Sequence, residues 1–170
     1  MNPVEVFALQ FLWFLAAWVT VALLFVGPAI ARLHPDDALS VWLAPQMFRV
    51  LGAGLLVSNL APDLPRAFAA PTAAGDSLTA ILALLSVIGL RRRWPIARHI
   101  AWACTIVGSA DLMIALPHAA AVQAARYLTA QWYVPALGVP LMIVCHAMAF
   151  RTLVRGRSRE GNASAANVAP

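Results

Sequence analysis

Five long apolar runs order this chain, at about residues 4–33, 39–60, 72–90, 96–116 and 131–150, with short polar or proline-rich breaks between them. A helix rises about 1.5 Å per residue, so crossing roughly 30 Å of hydrocarbon takes about 20 apolar residues. Each run meets or approaches that length. The pattern predicts an all-α integral membrane bundle of five transmembrane helices filling residues 1–155 as a single domain. The remaining stretch, 156–170, is small and polar and is expected to be a disordered tail. The first run could be mistaken for a signal peptide, because Ala29 and Ala31 form an A-x-A. Glu5 stands where a basic patch belongs, and the run far exceeds an apolar region of about 7–15 residues, so it is read as a retained span.

The breaks carry their own predictions. His34, Pro35, Asp36 and Asp37 make the first turn. Pro45 and Arg49 interrupt the second run, which places 41–45 at the interface and starts the true span near Met47. Arg49 is then expected to extend its guanidinium to the headgroups. Gly54 and Ser58 form a small-xxx-small pair suited to close helix approach. Pro62, Pro65 and Pro71 forbid one continuous helix through the next connector. That connector is too apolar for a solvated loop and reads as a surface-hugging or re-entrant piece. Trp94-Pro95 turns the chain into the fourth span, Pro117-His118 ends it, and a short interfacial helix follows. Pro135 and Pro140 kink the fifth span.

Composition agrees with this reading. The chain is 62% hydrophobic and 11% charged, against about 45–50% and about 25% in soluble domains. The net charge of +5 comes from 12 basic residues, all arginine, and 7 acids. Those arginines gather at span ends and in the tail, so they are read as topology signals rather than a nucleic-acid surface. With the amino terminus outside and the carboxyl terminus cytoplasmic, Arg32, Arg91, Arg92, Arg93, Arg98, Arg151, Arg155, Arg157 and Arg159 all lie inside, against Arg66 and Arg126 outside. Cys104 and Cys145 fall within apolar runs and form no metal or disulfide spacing.

Ionisable groups inside apolar runs need a structural or functional reason. Asp111 lies five residues before Leu116, roughly 8 Å from the outer end of its span, and His146 lies roughly 6 Å from the cytoplasmic end of the fifth. This arithmetic sorts the polar groups into an outer layer (Asp76, Asp111, His118, Trp132, Tyr133) and an inner layer (His146, Arg49). In the outer layer, Asp111 and Asp76 could bind a cation or proton, with Tyr133 and His118 orienting a ligand. Equally, Asp76 could cap its helix and Asp111 could hydrogen-bond neighbouring helices; for Asp76 the cap is favoured. Thr105, Gly108 and Asp111 share one face, which should point inward. His146 is read as a helix–helix hydrogen-bonding residue facing Arg49 or a carbonyl freed by Pro140. No lipase elbow, metalloprotease, P-loop or dinucleotide motif occurs.

Three phrases, LPRAFAAPTAAGD, WACTIVGSADLMIA and QWYVPALGVPLMIVCHAMAFRTLVR, resemble a group of small, uncharacterised bacterial multi-pass membrane proteins. The resemblance covers the second to fifth spans and implies a location in the bacterial inner membrane. The leading expectation for function is a small-solute or proton-linked carrier or binding protein with an outer-leaflet polar cavity. Its expected partners are the bilayer, a small ligand or proton, and a second copy or membrane partner docking on the small-residue faces; no cofactor is expected. The alternatives are a quinone- or haem-associated redox protein and a non-catalytic accessory subunit.

Overall fold

The computed structural model describes residues 2–166, with side chains for residues 2–156. No strand occurs among the described residues, and five helical stretches are long and apolar enough to cross a membrane. Helix α1 covers Pro3–Ile30, including a π-helical stretch at Ala22–Val26. Helix α2 covers Pro35–Leu56, α3 covers Arg66–Arg91 and α4 covers Ala97–Ala121. Helix α5 spans Ala130–Gly156. It opens through a π-helical stretch at Val134–Gly138, and regular helix continues from Val139 past Gly156 to Ala166. Residues 167–170 lie outside the described residues.

Two helix ends depart from the sequence reading, for a shared reason. Helix α3 begins at Arg66, not near Thr72, with Pro65 as its N-cap and Pro71 inside it. Helix α4 runs through Pro117 and His118 to Ala121. Proline removes one intrahelical hydrogen bond and clashes one turn back, but the turns on either side persist when packing holds them. The connector 57–65 is apolar because Ala61 and Leu64 pack with Phe68, Ala69 and Ala124 in a small cluster of their own. Thr129 ties this cap together by donating from its Oγ1 to the Leu60 carbonyl at 2.7 Å.

Helix α2 is the irregular one. It is α-helical over Pro35–Leu43 and then a 3₁₀ helix over Ala44–Leu56. Such runs seldom exceed 3–4 residues, because residues three apart eclipse one another and the hydrogen bonds are poorer. Here the eclipsing is put to use. Gln46, Arg49 and Gly52 stand in one column, and all three are buried. Hydrogen bonds to α5 hold the column, with Gln46 Nε2 donating to the Met142 carbonyl at 3.1 Å and Gln131 Nε2 donating to the Leu51 carbonyl at 2.8 Å.

Apolar packing fills one half of the bundle. Leu39, Leu43, Ala83, Leu90, Ala101, Cys104, Cys145 and Ala149 form a continuous core next to the arginine-rich ends. At that end Arg93 and Arg98 pair with Asp37 and Asp36 at 2.7 and 2.9 Å. Arg93 adopts a left-handed φ of 57°. Trp94 N–H then reaches back to the Gly89 carbonyl, closing a Schellman turn after α3. These pairs are solvent-facing, so Arg93→Ala is expected to lower the melting temperature only slightly, and added salt should erase most of the difference. Melting curves at low and high ionic strength check this. Helix α1 is the least buried, exposing Trp13, Leu24 and Phe25. It is pinned through Trp18 Nε1, which donates to the Leu137 carbonyl at 3.2 Å, and through Gln10, whose Oε1 accepts from Trp132 Nε1 at 2.7 Å.

Candidate functional site

The centre of the site is Arg49, which does not extend to the headgroups. Its side chain is 2% exposed, and the 3₁₀ column aims it between α3, α4 and α5. Arg49 Nε donates to Asp76 Oδ1 at 2.7 Å, and Nη2 donates to Asp111 Oδ2. Arg49 Nη1 donates to the Gly108 carbonyl at 3.1 Å and faces His146 Nε2 at 3.3 Å. A guanidinium has only donors, so His146 Nε2 is the acceptor. The His146 ring therefore keeps its proton on Nδ1, which has no protein partner among the described residues.

The two expected layers are thus one. Asp111 and His146 share a guanidinium because both helices are longer than their apolar runs suggested. With α4 ending at Ala121, Asp111 lies roughly 15 Å from that end instead of 8 Å. Asp76 likewise lies roughly 15 Å inside the Arg66 end of α3. His146 is roughly 15 Å from Gly156. Asp76 is no helix cap; its carboxylate belongs to the ion cluster. Thr105, Gly108 and Asp111 do share an inward face, with Thr105 and Gly108 buried.

Close approach is made possible by a glycine on each of α2, α3 and α4. A Cβ at Gly52 would collide with the Asp76 carboxylate, and one at Gly75 would collide with the Asp111 carboxylate. At Gly108 it would lie 2.5 Å from His146 Nε2 and 2.7 Å from Thr79 Cγ2. Gly54, paired with Ser58 in the sequence reading, instead makes room for the Gln131 side chain.

Above the cluster, in the half of the bundle opposite the packed core, a cavity of about 460 Å³ opens. Its walls are apolar, with Phe7 and Phe11 from α1, Leu55 from α2, Phe68 from α3, Leu112 from α4 and Val139 from α5 among them. Arg49, Asp76 and Asp111 form its floor. Each carboxylate spends one oxygen on Arg49 and is partly exposed, 18% for Asp76 and 14% for Asp111. Tyr133 and His118 do not join them. Tyr133 is 69% exposed, and His118 packs edge-on against Phe68 at 5.3 Å. Neither lines the cavity. Trp132, which the sequence reading put in the outer layer, packs edge-on against Phe7 at 5.3 Å.

Gln46 and Gln131 were missed in sequence, although an amide inside an apolar run is itself a signal of a backbone carbonyl needing a donor. No group of three or more His, Cys, Asp or Glu is placed to hold a metal ion among the described residues.

No curated protein and no solved structure matches the chain. A family match extends over residues 6–154, taking in nearly all of the five long helices and every member of the Arg49 cluster. The chain belongs to the family described as Domain of unknown function (DUF8737).

Proposed function

We propose that this protein is a membrane carrier or binding protein that takes a small solute into the cavity and exchanges a proton at the Asp76–Arg49–Asp111 cluster. The arginine-rich ends are cytoplasmic by the positive-inside rule, so the cavity opens toward the outer face. The single observation that carries this reading is the cavity floor. An apolar chamber of a size suited to a small molecule ends on one cation and two carboxylates. Arginine stays charged, so the cluster has one negative charge in excess whenever both carboxylates are ionised. An uncompensated charge at this depth is costly, which gives the cluster capacity for one more positive charge. The packed core beneath the floor makes access one-sided, as an alternating-access carrier or a receptor requires.

The proton itself is the probe for this reading. Infrared difference spectra of the purified protein between acid and alkaline pH should contain a protonated-carboxyl band. Asp111→Asn keeps the shape and one acceptor oxygen for Arg49 while removing the excess charge. It is expected to fold with a melting temperature at or above the parent's and to lose that band. An unaltered band in both Asp111→Asn and Asp76→Asn would remove the cluster from any proton exchange.

A further inference from the structure

We infer that the solute is an apolar-bodied cation, of the class of protonated lipophilic amines, and that it exchanges with the proton for the same place on the cavity floor. This deepens the carrier reading above and rests on it. The argument is one of sign and of hydrogen-bond type. Every nitrogen of Arg49 already engages a partner: Asp76 at Nε, Asp111 at Nη2, and the Gly108 carbonyl and His146 at Nη1. What the floor presents to the cavity is the second oxygen of each carboxylate, which is an acceptor. The Gln131 amide nitrogen is spent on the Leu51 carbonyl. Thr72 and Gln123, also on the cavity wall, can donate or accept. A ligand headed by a carboxylate or phosphate would meet an excess of like charge, and a quinone carbonyl, having no charge, would leave that excess uncompensated. An ammonium finds acceptors and the missing positive charge together.

The ionisable groups facing this point are Arg49 of α2, Asp76 of α3, Asp111 of α4 and, behind Arg49, His146 of α5. Helix α1 contributes apolar side chains, including Phe7 and Phe11, which suit the body of such a molecule. The exchange balances in charge. One protonated amine enters, one proton leaves the carboxylates for water, and the cluster stays neutral throughout.

The test uses three compounds with one body: 4-phenylbutylamine, 4-phenylbutan-1-ol and 4-phenylbutyrate. Each is radiolabelled and bound to the full-length protein in lipid nanodiscs, with empty nanodiscs subtracted. The amine should bind saturably, at least tenfold more tightly than the alcohol, and the carboxylate should not bind. Acidification should weaken amine binding, because the proton competes for its place. Asp111→Asn should abolish binding while its melting temperature shows the fold intact. Equal binding of amine and alcohol, insensitive to Asp111→Asn, would overturn the cation class and leave a cavity that binds apolar solutes. Preferred binding of the carboxylate would overturn the sign argument. If none of the three binds while the carboxyl infrared band is present, the amine class falls and the proton reading stands. If the band is absent as well, both fall.

Discussion

Arg49→Met is expected to destabilise the bundle by about 3–5 kcal/mol, the usual cost of removing one partner from a buried ionic cluster. Methionine matches the length of the aliphatic stem, so packing along the 3₁₀ column is nearly conserved. What is lost is every donor that Arg49 supplies to α3, α4 and α5. Asp76 and Asp111 would face each other as like charges with no cation between them, and the Gly108 carbonyl and His146 Nε2 would lose their donor. Arg49→Lys should recover only part of the loss. An ammonium is a compact point charge, whereas the guanidinium's planar fork reaches two carboxylates, a carbonyl and an imidazole from one plane. The triple variant Arg49→Met with Asp76→Asn and Asp111→Asn should recover most of it, because the uncompensated charges go with the arginine. Unfolding in mixed micelles, read by the fraction of helix lost, measures all three. A singly substituted Arg49→Met protein as stable as the parent would show that the cluster contributes no net stability.

That five helices are long and apolar enough to cross a membrane was legible because about 20 apolar residues in a row have few other uses. The site was legible in its parts and hidden in its assembly. Asp76, Asp111, Arg49 and His146 all stood out as ionisable groups in apolar surroundings. Two things hid their convergence. Pro71 and Pro117 looked like helix ends, so depths counted from them were too shallow, and the polar groups separated into layers that do not exist. The second was the 3₁₀ helix. A period of 3.6 distributes Gln46, Arg49 and Gly52 around an α-helical surface, while a period of 3.0 stacks them into one inward column. Nothing in local propensity announces thirteen 3₁₀ residues; contacts from Gln131 and Met142 on α5 hold them there. Arginine near a proline in a span is commonly a snorkelling residue, and only the positions of the partner carboxylates on α3 and α4 reverse that reading.

Gly108→Ala should destabilise the bundle by about 1–3 kcal/mol, as overpacking does. Its Cβ would meet atoms on two different helices, His146 of α5 at 2.5 Å and Thr79 of α3 at 2.7 Å. Neither neighbour is a long flexible chain. Thr79 is fully buried and its hydroxyl donates to the Gly75 carbonyl at 2.8 Å, while His146 is held against Arg49. Relief therefore requires α4 to move from α3 or α5, and either motion pulls the Gly108 carbonyl off Arg49. Gly138→Ala supplies the contrast. Nothing lies within 4 Å of a Cβ there, so alanine's better helix propensity, about 1 kcal/mol at most, should leave that variant neutral or slightly more stable. The two glycines sit on neighbouring helices and differ by the same methyl, so their opposite signs would isolate packing at the cluster from any general preference of the membrane helix for alanine. Equal melting temperatures for the pair would mean that α3, α4 and α5 do not close on one another at Gly108, and the shared site of Asp111 and His146 would open with them.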